Sequence, residues 1–472
     1  MSITELYKIY LDCGGIVTTD SRAIAGGEIF FALKGENFDG NEYAVKALEA
    51  GAAYAVVDRT SSAACFKAGS VEDARTRDNE GRSRIIPVDD TLKTLQELAR
   101  WHRSMTFVDG KPLTVIGLTG TNGKTTTKEL IKAVLSVKYN VTATEGNLNN
   151  SIGVPLTLLK INSCTQIAVV EMGASHPGDI KELVSVALPN YGLITNVGKA
   201  HLLGFGSFEG VKQTKGELYD YIQRTADRVF LNVDNPDLCG MAAQRPDLRK
   251  IPYGLEYQGA VVLPSSEDNP YLRIALKDSG PEHIINTRLI GAYNADNVMA
   301  AIAVGIEFGI GLEDAIDAVS RYVPSNNRSQ MVVTSSNSLI VDAYNANPTS
   351  MEAALRNFSS VKASRKSVML GNMLELGEDS VCEHIRIIEI LTEVDGLEYS
   401  VLVGDEFRKA LEATDGVVRR GDGVYSAGDM EIRWFPDSSS AAEHLMKAPL
   451  EGFSILVKGS RGSRMETVVP VL

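Results

Sequence analysis

The chain is poor in the features that mark several classes of protein. It has five cysteines in 472 residues, Cys13, Cys65, Cys164, Cys239 and Cys382, and no C-x-x-C pair. That scatter excludes a disulfide framework and a cysteine-based zinc site, and it suits a reducing compartment. No apolar run reaches the ~20 residues needed to cross a bilayer. The most apolar segment, NVMAAIAVGIEFGIGL, is interrupted by Glu307. No basic stretch followed by an apolar one opens the sequence, so no signal peptide is expected and the protein reads as cytoplasmic. Positive charge is in deficit: the net charge is −13 and the pI about 5.1. A field of that sign repels nucleic acid and anionic membranes, so neither nucleic-acid binding nor membrane insertion is expected. An anionic substrate would need a local cluster of cations.

What is present is ordinary globular material, 44% hydrophobic and 23% charged. At ~150 residues per domain the length suggests about three domains, and the pattern divides accordingly. In the first region, residues 1–108, β-like runs EIFFALKG and AAYAVVD flank a helical YAVKALEAG. Its stretch 72–84 is charged, nearly free of apolar residues, and expected to be a mobile surface loop. The second region, 109–325, repeats apolar strands (TVIGLTG, QIAVVEMG, YGLITNVG, RVFLNVD) between helix-period segments. Buried strands alternating with helices predict a mainly parallel sheet covered on both faces. A helical pair then leads to a Pro-Ser-Asn-Asn boundary. The third region, 326–472, repeats the logic with SLIVDAY, KSVMLGN, YSVLVGD and FSILVKGS. The fold class read from this is α/β, in three domains.

The chemistry starts at TVIGLTGTNGKTTTKELI. A strand ends near Thr119 and a helix begins near Lys124, with Gly120 and Gly123 between them. Glycines there let backbone N–H groups face inward, and the helix N-terminus adds partial positive charge. Lys124 can reach a β- or γ-phosphate, and the Thr125 hydroxyl can serve Mg²⁺. The usual phosphate loop has glycine at the position of Leu118; its absence shortens the flexible part and removes none of the chemistry. Glu171 ends the strand QIAVVEMG, and His201 lies beyond the next strand on the same rim. A carboxylate on that rim can hold a cation beside the nucleotide. Glu171 alone is equally a satisfied polar group at a strand end, and a lone histidine is more often a surface or core residue than a ligand. Lys215 reads only as one face of the helix EGVKQTKGELYDYI.

The loop GTNGKTT without the first glycine resembles that of the Mur ligase family, the amide-forming synthetases of peptidoglycan precursor assembly. Further motifs extend the resemblance along almost the whole chain: TTDSR, TEGNLNNSIGVP, EMGASHPGDI, GKAHLLGFGS, GAYNADN, NNRSQ, YNANPTSM and LVKGSRGSRME. YNANPTSM is typical of the branch that adds D-alanyl-D-alanine. The resemblance implies a central phosphate-loop domain between an N-terminal UDP-binding α/β domain and a C-terminal Rossmann-like one. It implies ATP contacts from Gly120, Thr121, Asn122, Gly123, Lys124, Thr125, Thr126, Asn297, Arg328 and Asp342. It implies two Mg²⁺ ions, with Thr125, Glu171, His201 and a carbamylated Lys215 as ligands. Lys212 is the near alternative to Lys215. The resemblance implies that Lys124, Glu171, His201, Lys215 and Arg328 carry the catalysis. Substrate contacts fall to Asp20, Ser21 and Arg22 at the UDP end, to Asn147, Asn149 and Asn150 in the cleft, and to Lys458, Ser460 and Arg461 at the peptide end. The bland alternatives are turn stabilisation by the asparagines, helix capping by Asn294 and a solvated basic loop at 458–461. The implied substrates are ATP, UDP-N-acetylmuramoyl-tripeptide and D-alanyl-D-alanine, and the implied state is a monomer whose third domain closes over the site. A sister ligase with another amino acid, or a nucleotide-dependent switch, are the rival readings.

Overall fold

The computed structural model describes residues 1–35, 38–61, 77, 83–225, 227–265, 269–277, 283–324 and 328–472. The charged stretch 72–84, apart from Arg77, Ser83 and Arg84, lies outside them, as do residues 325–327 of the expected boundary.

The middle of the chain forms a six-stranded parallel sheet. Its central strand is Thr114–Thr119; Ile167–Glu171 and Val141–Ala143 lie to one side, Tyr191–Ile194, Arg228–Asn232 and Arg249–Tyr253 to the other. The chain therefore switches sides around the first strand, and the carboxyl ends of three neighbouring strands open a crevice there. The strand Thr114–Thr119 is buried from Val115 onward because helices cover both faces. Helices Lys124–Leu135 and Ala295–Glu307 pack one face through Leu130, Ile131, Val298 and Ile302. Each such buried side chain contributes roughly 1.5–3 kcal/mol.

The mainly parallel sheet expected for this region is accompanied by a second, antiparallel one. Ala260–Leu263, Tyr271–Leu276 and Ile284–Ile290 form three antiparallel strands. Their burial alternates, with Ile274 and Ile285 facing the core and Arg273 and Ile284 facing out. That period-two signal sits in short runs that sequence inspection passed over.

The N-terminal sheet has four parallel strands, Val17–Thr18, Ile29–Phe31, Tyr54–Asp58 and Ile85–Val88. Helix Thr91–Met105, capped by Asp90, joins this domain to the middle one. Its Leu95, Leu98 and Ala99 share a buried cluster with Leu158, Ile180 and Leu183. A small hairpin, Phe107–Val108 with Lys111–Pro112, follows.

The C-terminal sheet has eight strands. Five are parallel: Ser338–Asp342, Ser454–Lys458, Lys366–Gly371, Leu397–Val403 and Met430–Phe435. Antiparallel strands close both edges. Among the described residues no helix is long and apolar enough to cross a membrane.

Candidate active site

The carboxyl ends of the middle and C-terminal sheets face a shared cleft of about 750 Å³. Its floor is the phosphate loop. Gly120 has φ 151°, and a Cβ there would lie 1.9 Å from the Thr195 hydroxyl oxygen. Gly123 has φ 77°, and its Cβ would lie 2.5 Å from Asn297 Oδ1. Neither position admits a side chain, so the glycines are set by packing as well as by backbone conformation. The loop is stitched to the end of the next strand. The Asn122 N–H donates to Asn196 Oδ1 at 2.9 Å, and the Thr195 hydroxyl donates to the Asn122 carbonyl at 2.6 Å.

Lys124 lies inside this loop and donates to the carbonyls of Gly120 and Thr121 at 2.8 and 3.0 Å. Burial pushes its ammonium below the ordinary lysine value, Glu171 opposes that shift, and Arg328 adds to it. Thr125 donates its hydroxyl to Glu171 Oε2 at 2.9 Å, and Asn149 Nδ2 donates to Glu171 Oε1 at 2.8 Å. A hydroxyl beside a buried carboxylate at the mouth of a phosphate loop is a donor set that fits a hard, oxygen-seeking cation such as Mg²⁺.

His201 lines the cleft, whereas Lys215 is not among its lining residues. His201 has left-handed backbone, φ 51°, and its Nδ1 meets the Glu375 carboxylate of the C-terminal domain. Among the described residues no group of three or more His, Cys, Asp or Glu side chains is drawn together as a metal cluster. Lys215, on helix Phe208–Thr225, is 2% exposed. Burial, and next the charge of Lys124, push its pKa down to about 7. Lys212 instead pairs with Asp237 at 2.8 Å.

Asn147, Asn149 and Asn150 all line the cleft. Asn150 also accepts from the Gly153 N–H at 2.9 Å, so it stabilises the following helix start. Asn297 accepts from Thr127 at 2.9 Å and donates to Asn294 at 2.9 Å, buttressing the phosphate loop from behind. Asn294 makes no capping bond; it donates to the Ile290 carbonyl at 2.8 Å.

The C-terminal wall carries Arg328, Asp342 and Lys458. Asp342 accepts from the Ser329 N–H at 3.3 Å and from Lys458 Nζ at 2.5 Å. Lys458, only 1% exposed, is thereby committed within its own domain. Ser460 is buried and Arg461 exposed; neither lines the cleft. Asp20, Ser21 and Arg22 also lie outside it, on the N-terminal domain, where Arg22 grips the Asp20 carboxylate at 2.7 Å and holds its pKa down at about 2.

Several residues that the sequence reading left unassigned help to build the site. Thr195 and Asn196 hold the loop. Asn347 caps helix Pro348–Ser360 by accepting from the Ser350 N–H, and also donates to Asn122 Oδ1 at 2.8 Å across the domain boundary. Lys199 meets Glu383 of the C-terminal domain at 2.8 Å. The signal for Asn347 was present in the asparagine–proline pair, which marks a helix start.

Three family models match the chain in the order of its domains. They are the "Mur ligase family, catalytic domain" over residues 15–103, the "Mur ligase middle domain" over 118–305 and the "Mur ligase, glutamate ligase domain" over 327–461. The UDP-N-acetylmuramoyl-tripeptide–D-alanyl-D-alanine ligase of Bacillus subtilis is 37% identical over 96% of this chain and 92% of its own length. The Escherichia coli enzyme of the same name is 31% identical over 97% and 93%. Among solved structures, MurF ligase from Thermotoga maritima in complex with ADP superposes with a TM-score of 0.77 at 26% identity, covering 97% of this chain and 96% of that one. MurF from Acinetobacter baumannii gives 0.79 at 26%, over 98% and 97%. The chain belongs to the Mur ligase family.

Proposed function

We propose that this protein is an ATP-dependent amide ligase that joins D-alanyl-D-alanine to UDP-N-acetylmuramoyl-tripeptide, yielding the UDP-pentapeptide precursor of peptidoglycan, ADP and phosphate. The observation that carries the reading is the end-to-end likeness to ligases of that name, with the phosphate loop and Arg328 meeting in one cleft from two domains. We divide the chain at 1–108 for the UDP-sugar, 109–325 for ATP and 326–472 for closure. A monomeric, cytoplasmic protein fits this work.

An amide forms from a carboxylate only after activation. The terminal carboxylate of the tripeptide takes the γ-phosphoryl group of ATP, releasing ADP. The dipeptide amine then attacks the acyl carbon, loses a proton, and expels phosphate with the C–O bonding pair. Phosphoryl transfer asks the protein chiefly for position and charge. Lys124 and the N–H groups of residues 120–125 cradle the phosphates, and Arg328 approaches them from the opposite wall. Asn297 keeps Gly123 and its helix in register. Thr125 and Glu171 would hold Mg²⁺, which would neutralise phosphate charge there. A second ion would be held by Glu171, a carbamylated Lys215 and Nε2 of His201, whose Nδ1 meets Glu375. Lys215 suits carbamylation: the neutral amine, favoured by its burial, can add to CO₂ and lose a proton, turning a buried cation into an anion. Asp20, Ser21 and Arg22 bind the UDP end, the asparagines 147, 149 and 150 the sugar-peptide, and Ser460 and Arg461 border the dipeptide.

The test is phosphate release from ATP with UDP-N-acetylmuramoyl-tripeptide, with and without D-alanyl-D-alanine. Dependence on the dipeptide and a pentapeptide product mass are expected. Dependence on a different amine would move the protein to a sister activity. Release indifferent to both substrates would reject the ligase reading.

A further inference from the structure

Among the described residues Arg328 is a cation without an anion. Among the described residues no carboxylate or carbonyl accepts a bond from its guanidinium; its partner is the face of Tyr344, 3.7 Å from the ring centroid. Arg461 approaches the same ring at 5.6 Å and donates from Nη1 to the Tyr344 hydroxyl at 3.4 Å. Tyr344 follows the strand Ser338–Asp342 by two residues and lines the cleft. The residue after Arg328 is held as well. Ser329 has φ 46°, its N–H reaches Asp342, and its hydroxyl lies 3.1 Å from that of Tyr293.

Stacking and ion pairing fix an arginine in chemically different ways. A carboxylate partner uses up guanidinium N–H donors and cancels the charge. An aromatic face orients the plane while leaving the five N–H groups at its edge free for a bidentate oxyanion. The charge of Arg328 is indeed felt at Lys124, across the cleft. The neighbouring Lys458 is the contrast, since Asp342 already takes up its charge.

We propose that Tyr344 is a positioning residue for the reaction, holding the Arg328 guanidinium flat and unpaired so that its donor edge meets the nucleotide phosphates from the C-terminal side. The proposal rests on the cleft being the ATP site. Tyr344 touches no reacting atom. Its ring face matters to Arg328, and its hydroxyl matters only to Arg461.

The experiment is a double-mutant cycle read by the Kd of a non-hydrolysable ATP analogue and, in parallel, by kcat and KM for ATP. Tyr344→Leu should weaken analogue binding by roughly 3- to 30-fold, the range of a cation–π contact, while Tyr344→Phe, which keeps the face, restores most of it. Arg328→Met removes both the charge and the plane. In that background Leu at position 344 should change Kd by less than about twofold, because the coupled partner is already gone. Multiplicative losses in the double variant would overturn the proposal, as would a Tyr344→Leu variant that binds like wild type. If Leu at 344 fails to fold, the Phe variant and the Arg328→Met cycle with Phe still read the coupling: a loss at Phe equal to that at Arg328→Met would assign the effect to the hydroxyl and overturn the role of the face. Binding coupling without dipeptide-dependent turnover in wild type would sink the ligase reading and keep this one. Normal wild-type turnover without coupling would do the reverse.

Discussion

Lys458 and Lys215 are buried to the same degree, 1% and 2% exposed, and end in opposite states. In the C-terminal domain Lys458 meets Asp342 at 2.5 Å and also donates to the Asn345 carbonyl at 3.3 Å, so its charge is matched where it is buried. In the middle domain Lys215 has the Phe205 ring 5.8 Å away and the like charge of Lys124 pressing on it, and its pKa falls to about 7. Burial alone does not decide what an amine does. The partner decides whether it is a structural cation or a neutral group open to chemistry. Lys124 is a third case: among the described residues its ammonium donates to two neutral loop carbonyls, partners that a phosphate can replace.

That third case gives the largest expected effect. Lys124→Met should lower ATP turnover by about 10²- to 10³-fold, the scale of removing one preorganised donor to developing negative charge, measured by phosphate release. Next, Lys458→Met leaves Asp342 nearly buried and unpaired. It should cost about 3 kcal/mol of stability, measured by denaturant unfolding. Lys215→Met removes a buried amine that forms no ion pair among the described residues, so at pH 7 its melting temperature should equal or exceed that of wild type even as ligase turnover falls. Equal destabilisation by the two lysine-to-methionine changes would erase the contrast.

The same contrast has a pH signature. The Lys215 pKa is lowered from 10.5 to about 7. Between those values the unfolded chain holds a proton there that the folded chain does not, so this group makes stability rise with pH across that window, and the cost of burying it is full below about 7. Lys215→Met should flatten that rise in a series of melting curves. The smallest effect belongs to the half-exposed bridge between domains: Lys199→Met should cost about 1 kcal/mol or less, and should appear as a modest rise in KM for ATP if the bridge to Glu383 favours closure.

What could be read from the sequence follows chain locality. Gly120, Gly123, Lys124 and Thr125 lie within six consecutive residues, so strand, turn and helix N-terminus are inferred together. Glu171 was visible as a carboxylate ending an apolar strand; Asn347, a cap before proline, carried a local signal that went unassigned. Asp342 and Lys458 were each named as ligand contacts, yet they pair across 116 positions, and no local pattern announces that. The antiparallel strands Ala260–Leu263, Tyr271–Leu276 and Ile284–Ile290 were missed because each is short and half-buried.

Sequence by itself determined the three α/β regions, the phosphate loop with its lysine and hydroxyl, and the rim residues at strand ends. Those features depend on periodicity and on neighbours a few residues apart. Tertiary structure alone decided which buried lysine is paired, that His201 faces Glu375, and that Arg328 rests on Tyr344. Those are matters of which charges and rings share a desolvated space, and that is settled when distant segments pack, within one domain for Lys458 and Arg328 and between two for His201, not along the chain.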